Sequence, residues 1–308
     1  MPERFPPPAA TWRGRFAPSP TGPLHFGSLI AALGSFLEAR VRGGEWLLRM
    51  EDLDTPRVVS GAAGEILTTL EAFGLTWDGP VLYQSRRQEA YQQALEGLMA
   101  RGLVYTCTCS RREVARRAAM GPGGMIYPGS CRTGPGRPGR PGAIRLRVSE
   151  AEVTVADPIQ GPLTQHLGRE VGDFVIRRAD GLFAYQLAVV VDDAFQQIDQ
   201  VVRGSDLWSS TPRQIHLQAR LKLPTPSYTH LPVAVDRRGD KLSKQTHAPP
   251  LDPRRPAPAL VAALAFLGQQ PPPELVRAAP REVLAWAKAH WYPTRIPRRE
   301  RIRWTPPF

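Results

Sequence analysis

Cysteine is scarce, with three in 308 residues. So small and odd a number excludes a disulfide-stapled scaffold. Two of the three stand together as Cys107-Thr-Cys109, a spacing that suits a metal or free thiols. Long apolar runs are missing too: no uninterrupted stretch is long enough to span a bilayer, which argues against a membrane partner. The opening residues, Met1 to Pro8, carry none of the hydrophobic core that a secretion signal needs, so a cytoplasmic location is expected. Acidic residues are in deficit. Asp and Glu number 28 against 40 Lys and Arg, a formal net charge of +12. Such an excess suits a polyanion, nucleic acid first, with binding that weakens as salt rises. A codon bias toward Arg, Pro, Ala and Gly would give the same excess, and the 33 prolines fit it, so the charge is supporting information only.

What is present is a chain 42% hydrophobic, enough to bury the core of one large domain or of two to three smaller ones. Its most informative stretch is Arg15-Phe-Ala-Pro-Ser-Pro-Thr-Gly-Pro-Leu-His-Phe-Gly-Ser28. A short apolar opening, Trp12 to Ala17, breaks into a turn-forming run. A helical pattern follows, with Leu29, Leu33, Phe36 and Leu37 on one face. A helix beginning near His25 to Ser28 presents unpaired N–H groups under His25, an arrangement that attracts phosphate. Gly27 allows close approach to the backbone. On its own the stretch is equally well read as a Pro-rich loop with Ser28 as a helix cap.

The next apolar segment, Glu45 to Met50, completes a strand–helix–strand unit, so a parallel sheet is expected with its site at the carboxyl ends of the strands. Arg15 to Ser19 and Glu51 fall there. Asp54, before Thr55-Pro-Arg57, reads as a helix cap. Further strands are expected at 103–107, 143–148, 153–159, 198–203 and 228–235. Helices are expected at 64–73, 88–101, 185–193, 210–221, 259–267 and 273–288, and a hairpin should turn at Asp180-Gly181. The Gly, Pro and Arg-rich stretch from Gly121 to Gly142 reads as an exposed basic loop, for RNA contact or as a passive linker.

A second stretch, Asp240-Lys-Leu-Ser-Lys-Gln-Thr246, suits a loop that closes on a polyphosphate. Paired in this order with the first stretch, it resembles the two ATP-binding elements of class I aminoacyl-tRNA synthetases. Between them lie Leu48-Arg-Met-Glu-Asp-Leu-Asp-Thr-Pro-Arg57 and Val202-Arg-Gly-Ser-Asp-Leu-Trp-Ser-Ser-Thr-Pro-Arg213. With these, the likeness narrows to the glutamyl-tRNA synthetase branch, over roughly the first four-fifths of the chain. The residues after Gln245 leave no room for that branch's anticodon-reading region. This shortness resembles the truncated branch, the glutamyl-Q tRNA(Asp) synthetases.

The resemblance implies an α/β fold: a Rossmann-type doubly wound parallel sheet with an inserted α+β zinc-containing subdomain and a short C-terminal helical region. It divides the chain into 1–100, the first half of the catalytic sheet; 101–184, an acceptor-type insert; 185–245, the second half with the 241–245 loop; and 246–308, a helical stem-contact region. It implies L-glutamate and ATP as substrates, with Mg²⁺ accompanying the ATP, and a tRNA(Asp) anticodon stem-loop bearing queuosine as acceptor. A monomer is expected. His25 and Lys244 would be catalytic. ATP would meet His25, Gly27, Ser28, Lys241, Ser243 and Lys244. Glutamate would meet Arg15, Ala17, Ser19, Glu51, Tyr185 and Arg203, the carboxylate of Glu51 holding its ammonium and the planar fork of Arg203 its side chain. Ser28 stands where the family's longest consensus has a second histidine. Similar family members bind a structural zinc through Cys-x-Cys and Tyr-x-x-x-Cys, which match Cys107, Cys109, Tyr127 and Cys131 here. His166 or water are alternatives to Tyr127 as fourth ligand, and three ordinary thiols are the alternative to a metal. A shortened synthetase charging the 3′ end of tRNA(Glu), or a non-catalytic tRNA-binding relic, are the competing readings.

Overall fold

The computed structural model describes residues 12–121, 123–148, 150, 152–242 and 248–305. β1 (Arg13–Phe16) leads through a Pro-rich turn into α1 (Phe26–Val41), which returns to β2 (Glu45–Met50). α2 (Ala62–Ala72) then precedes the short β3 (Leu82–Tyr83), and α3 (Gln88–Ala100) follows it. β2 alternates as a strand must. Trp46, Leu48 and Met50 pack with α1, whereas Leu47 joins Val201 and Tyr228 in a core on the opposite face.

The chain then leaves the sheet. β4 (Val104–Cys107), α4 (Arg111–Arg117), β5 (Ala119–Gly121), β6 (Gly124–Ile126) and β7 (Ala143–Leu146) follow in turn. After them come the hairpin β8 (Glu152–Asp157) and β9 (Gly161–His166), the single turn α5 (Leu167–Glu170), and β10 (Phe174–Arg177). β4, β7 and β10 form an antiparallel three-stranded sheet. The turn expected at Asp180-Gly181 is present, with Gly181 N–H donating to the Arg178 carbonyl.

The central sheet resumes after α6 (Tyr185–Phe195), with β11 (Gln200–Gly204), α7 (Thr211–Leu221) and β12 (Ser227–Leu231). Its order is β12-β11-β1-β2-β3, every pairing parallel. The chain runs outward from β1 through β2 to β3, then returns on β1's other side as β11. The crevice between the carboxyl ends of β1 and β11 is therefore the topological switch point, where open sheets of this kind bind ligands.

The single strand expected over 228–235 is two. Pro232, which has no N–H to donate, separates β12 from β13 (Val233–Val235). β13 leaves the central sheet. After α8 (Pro256–Phe266) and α9 (Pro280–Ala289), the chain supplies it with a parallel partner, β14 (Arg301–Arg303). The C-terminal region is thus helical with one strand added. The helix expected over 273–288 is likewise divided, a short 3₁₀ turn at Pro273–Arg277 preceding α9, because Pro280 stands at a helix start. α8 and α9 pack beside α1 in the largest core. Trp304, just past β14, stacks on Phe26 with ring centroids 3.9 Å apart.

Candidate active site

The switch point opens into a cavity of about 960 Å³. Its lining brings together Arg15, Ala17, Ser19, His25, Gly27, Ser28, Glu51, Tyr185, Arg203 and Lys241, residues that lie in five separate stretches of sequence. A second cavity of about 360 Å³, between α3 and the end of α7, has a largely apolar wall and gathers none of them.

At the α1 end of the cavity, His25 is the N-cap of α1 and its backbone is extended. Ser28 N–H donates to His25 Nδ1 at 3.4 Å, and His25 N–H donates to the Ser28 hydroxyl at 2.7 Å. The two residues form a reciprocal cap. Since Nδ1 accepts, the neutral imidazole carries its proton on Nε2. Ser28 therefore does both things considered from sequence: it caps the helix and it borders the cavity, with its hydroxyl tied to the backbone of His25. The N–H groups of Phe26 and Gly27 have no acceptor within the helix, as at any helix start.

The second stretch singled out from sequence borders the same cavity through Asp240, Lys241 and Leu242. Ser243 and Lys244 lie outside the described residues, but the chain on either side of them is fixed. The Leu242 carbonyl oxygen lies 3.0 Å from where a Cβ on Gly27 would stand. On the far side, His25 bridges to Pro250 and Leu251 N–H donates to the Leu24 carbonyl at 2.9 Å. Lys241 Nζ pairs with Asp206 Oδ2 at 2.6 Å.

At the other end of the cavity, three buried charges and the half-buried Glu51 form one network. Arg15 Nε donates to Asp193 Oδ1 at 3.0 Å, and Arg49 Nη1 donates to the same oxygen at 2.7 Å. Arg49 Nη2 reaches Glu51 Oε1 at 3.3 Å. Glu51 N–H donates to the Pro18 carbonyl at 2.9 Å, pinning the end of β2 to the turn after β1. Burial raises the Glu51 carboxyl above its usual value, and the two guanidiniums only partly offset this. Burial acts the same way on Asp193, but there Arg15 and Arg49 outweigh it and its pKa is lowered. Arg49 and Asp193 were not singled out from sequence. Their signal was a charge inside an apolar strand and an acidic pair inside an apolar helix.

Arg203 stands at the end of β11, nearly buried. Its Nε donates to His230 Nε2 at 3.1 Å and its Nη2 to the Thr211 hydroxyl at 2.8 Å. Nη1 lies 3.4 Å from the Tyr185 hydroxyl. Nε and Nη2 are thus engaged by β12 and α7, and Nη1, beside the Tyr185 hydroxyl, is the nitrogen on the Tyr185 side. Asp54, expected as a helix cap, makes no cap bond. It pairs with Arg57 at 2.6 Å and Arg178 at 3.3 Å across the cavity mouth, because two guanidiniums are stronger partners than a backbone N–H.

The cysteines converge at a separate place. The sulfurs of Cys107, Cys109 and Cys131 lie within 4.8 Å of one another, Cys109 and Cys131 at 3.5 Å. The Tyr127 hydroxyl is 3.2 Å from the Cys107 sulfur and 3.8 Å from that of Cys109. A tetrahedron with arms of about 2.3 Å has edges of roughly 3.8 Å, so this donor set fits zinc. Burial alone would push the Cys131 thiol up, but the Gly136 N–H, the Tyr127 hydroxyl and the Thr108 N–H draw it down to about 6, whereas burial and Cys131 push Cys109 up to about 11. His166 is not in the group: it lies at the end of β9, 3.3 Å from Glu152.

Comparison with known proteins decides the family. Residues 11–250 match the family described as "tRNA synthetases class I (E and Q), catalytic domain". A protein of Dechloromonas aromatica named glutamyl-Q tRNA(Asp) synthetase is 60% identical over 295 residues, 94% of this chain and 97% of that one. The chain belongs to the glutamyl-Q tRNA(Asp) synthetase family. A second member, from Thiobacillus denitrificans, is 56% identical over 284 residues, 92% of this chain and 94% of that one. The fold is that of the larger relatives as well. A solved glutamate-tRNA synthetase from Elizabethkingia anophelis superposes with a TM-score of 0.75 at 24% identity, covering 96% of this chain and 68% of that one. Among the described residues no helix is long and apolar enough to cross a membrane.

Proposed function

We propose that this chain activates L-glutamate with ATP and transfers the glutamyl group to the queuosine base in the anticodon of tRNA(Asp). The observation that carries the reading is the match, nearly end to end, with relatives named for that reaction. The cavity supports it chemically, since it sets a phosphate-binding helix start beside a pocket with a half-buried carboxylate at one wall and an arginine at another.

In this reading Glu51 accepts the substrate ammonium, with Ala17 and Ser19 bordering the same wall. Arg203 and Tyr185 receive the side-chain carboxylate, and Arg15, held by Asp193, borders the same pocket. The α-carboxylate oxygen attacks the α-phosphorus of ATP, the bond to the β-phosphate oxygen breaks, and pyrophosphate leaves. His25 Nε2–H and the N–H groups of Phe26 and Gly27 stabilise the charge that builds on the phosphate. Ser28, Lys241, Ser243 and Lys244 attend the leaving phosphates, and Mg²⁺ enters as the partner of ATP. AMP leaves when the acceptor takes the glutamyl group. Zinc on Cys107, Cys109, Tyr127 and Cys131 would serve structure, tying β4 to the loop after β6. We assign residues 101–184 as the insert that meets RNA and 246–308 as the part that contacts the stem.

The test offers radiolabelled glutamate and ATP to bulk tRNA with and without queuosine. Label should enter only queuosine-bearing tRNA, and enzymatic removal of the 3′-terminal adenosine should not prevent it. Charging of tRNA(Glu) at its 3′ adenosine would make the chain a shortened glutamyl-tRNA synthetase. Absence of glutamate-dependent pyrophosphate exchange would leave only an RNA-binding protein. Lys244→Ala should abolish that exchange while the fold persists.

A further inference from the structure

Arg203 differs from the other two buried arginines at the carboxyl ends of the sheet strands in how it is held. Arg15 and Arg49 lie directly against the carboxylate of Asp193. Among the described residues, no carboxylate oxygen lies within ion-pair distance of Arg203. Its Nε instead meets His230, its register partner across the β11–β12 ladder. The His230 side chain is fully buried, and so is that of Asp157, whose Oδ2 lies 2.7 Å from His230 Nδ1.

Asp157 sits at the turn end of β8, in a hairpin that contributes nothing to the cavity wall. Its carboxylate is fixed on every side. Oδ2 also accepts the His230 N–H at 2.8 Å, and Oδ1 accepts those of Ile159 and Gln160, each at 2.8 Å. An ionised carboxylate can only accept, so His230 Nδ1 carries the ring proton. Nε2 is then a lone pair that accepts the Arg203 Nε–H at 3.1 Å, with the Thr211 hydroxyl, itself bonded to Arg203 Nη2, 3.0 Å from the same nitrogen. Burial, with Arg203 adding to it against the opposing pull of Asp157, lowers the His230 pKa to about 4, so the ring is neutral near pH 7.

A carboxylate touching Arg203 would hold it as firmly, but it would also neutralise the charge that an acidic substrate must find. A neutral imidazole between the two fixes the guanidinium and leaves its charge for the ligand. We propose that His230 and Asp157 are positioning residues for substrate selection: the carboxylate–imidazole pair sets the Arg203 guanidinium with Nη1 toward the cavity, and preference for an acidic side chain depends on it. This rests on the reading of Arg203 as the receptor of the glutamate side chain.

The test compares His230→Gln, His230→Asn and Arg203→Ala in ATP–pyrophosphate exchange, with KM measured for glutamate and for ATP. Glutamine offers an acceptor near the place of Nε2. Asparagine keeps the contact with Asp157 but falls short of Arg203, so a purely structural role would favour it. The expected result is a glutamate KM raised about tenfold or more by His230→Asn and by Arg203→Ala, ATP KM within about twofold, and His230→Gln within about threefold of the parent. Glutamate-over-glutamine preference should fall with the same variants. If Arg203→Ala raises the glutamate KM and His230→Asn does not, the positioning role is overturned and the pocket reading stands. If Arg203→Ala has no effect, the pocket reading falls first. Glutamate and ATP KM rising together, with a lowered melting temperature in both His230 variants, would show a structural histidine and overturn the proposal.

Discussion

A Cβ placed on Gly27 would stand 3.0 Å from the carbonyl oxygen of Leu242 and 3.1 Å from Cε1 of His25. Two loops from opposite ends of the catalytic region thus touch through a gap that only glycine leaves. Gly27→Ala should push Leu242 or the imidazole outward by a few tenths of an ångström. The helix itself tolerates alanine, so the melting temperature should hold while kcat/KM for ATP falls about tenfold or more. Thermal denaturation and pyrophosphate exchange on the same preparation check both halves.

Tyr185 and Arg203 offer a carboxylate two donors from different elements. Removing one hydroxyl leaves the arginine in place. Tyr185→Phe should raise the glutamate KM by about tenfold without altering that for ATP, the expected loss of one charge-assisted hydrogen bond of about 1.5 kcal/mol. Steady-state kinetics with each substrate varied in turn would show it.

Protein purified without chelator should contain about one zinc per chain. Cys131→Ser should lose it and melt at a lower temperature. Tyr127→Phe should keep the three sulfurs but bind the metal at least about tenfold more weakly if the phenol is the fourth donor. Metal analysis with a competing chelator distinguishes that from a water in the same place, for which the phenylalanine variant would match the parent.

Acid should destabilise the fold in a defined window. Burial lowers His216 and His230 to about 4 each, in His216 with help from Arg220. Both rings are nearly or fully inaccessible. Their unfolded value is near 6.5, so between about pH 6.5 and 4 the unfolded chain binds more protons than the folded one. The histidine contribution then rises with pH across that window and is lost as pH falls through it, by an upper bound of about 3 kcal/mol per histidine, while Glu51, raised by burial, acts in the opposite sense above its ordinary value. Asp193, lowered by its two arginines, adds a loss only below the ordinary aspartate range. Urea titrations from pH 7 to 4 should show the histidine-dependent part, and His216→Gln should flatten it.

The wall of the cavity was legible because its residues come in short local motifs, each a turn or helix start after a strand. What holds those residues was not. Arg49 meets Asp193, and Asp157 meets His230, across large separations in sequence, and nothing local to Asp157 marks it as more than a turn residue. β9 escaped detection because Pro162 and its polar neighbours mask a strand that pairs only with its own hairpin partner. β14 escaped for a related reason: in Arg301-Ile-Arg303, charge hides the one apolar residue, and the strand exists because Pro232 turned β13 away from the main sheet.

Trp304 lying flat on Phe26, one residue past His25, gives the enzyme a built-in optical reporter. Any ligand that displaces the first turn of α1 slides an indole across a phenyl ring. The difference in emission between the parent and Trp304→Phe should therefore follow nucleotide loading in real time, with no dye attached.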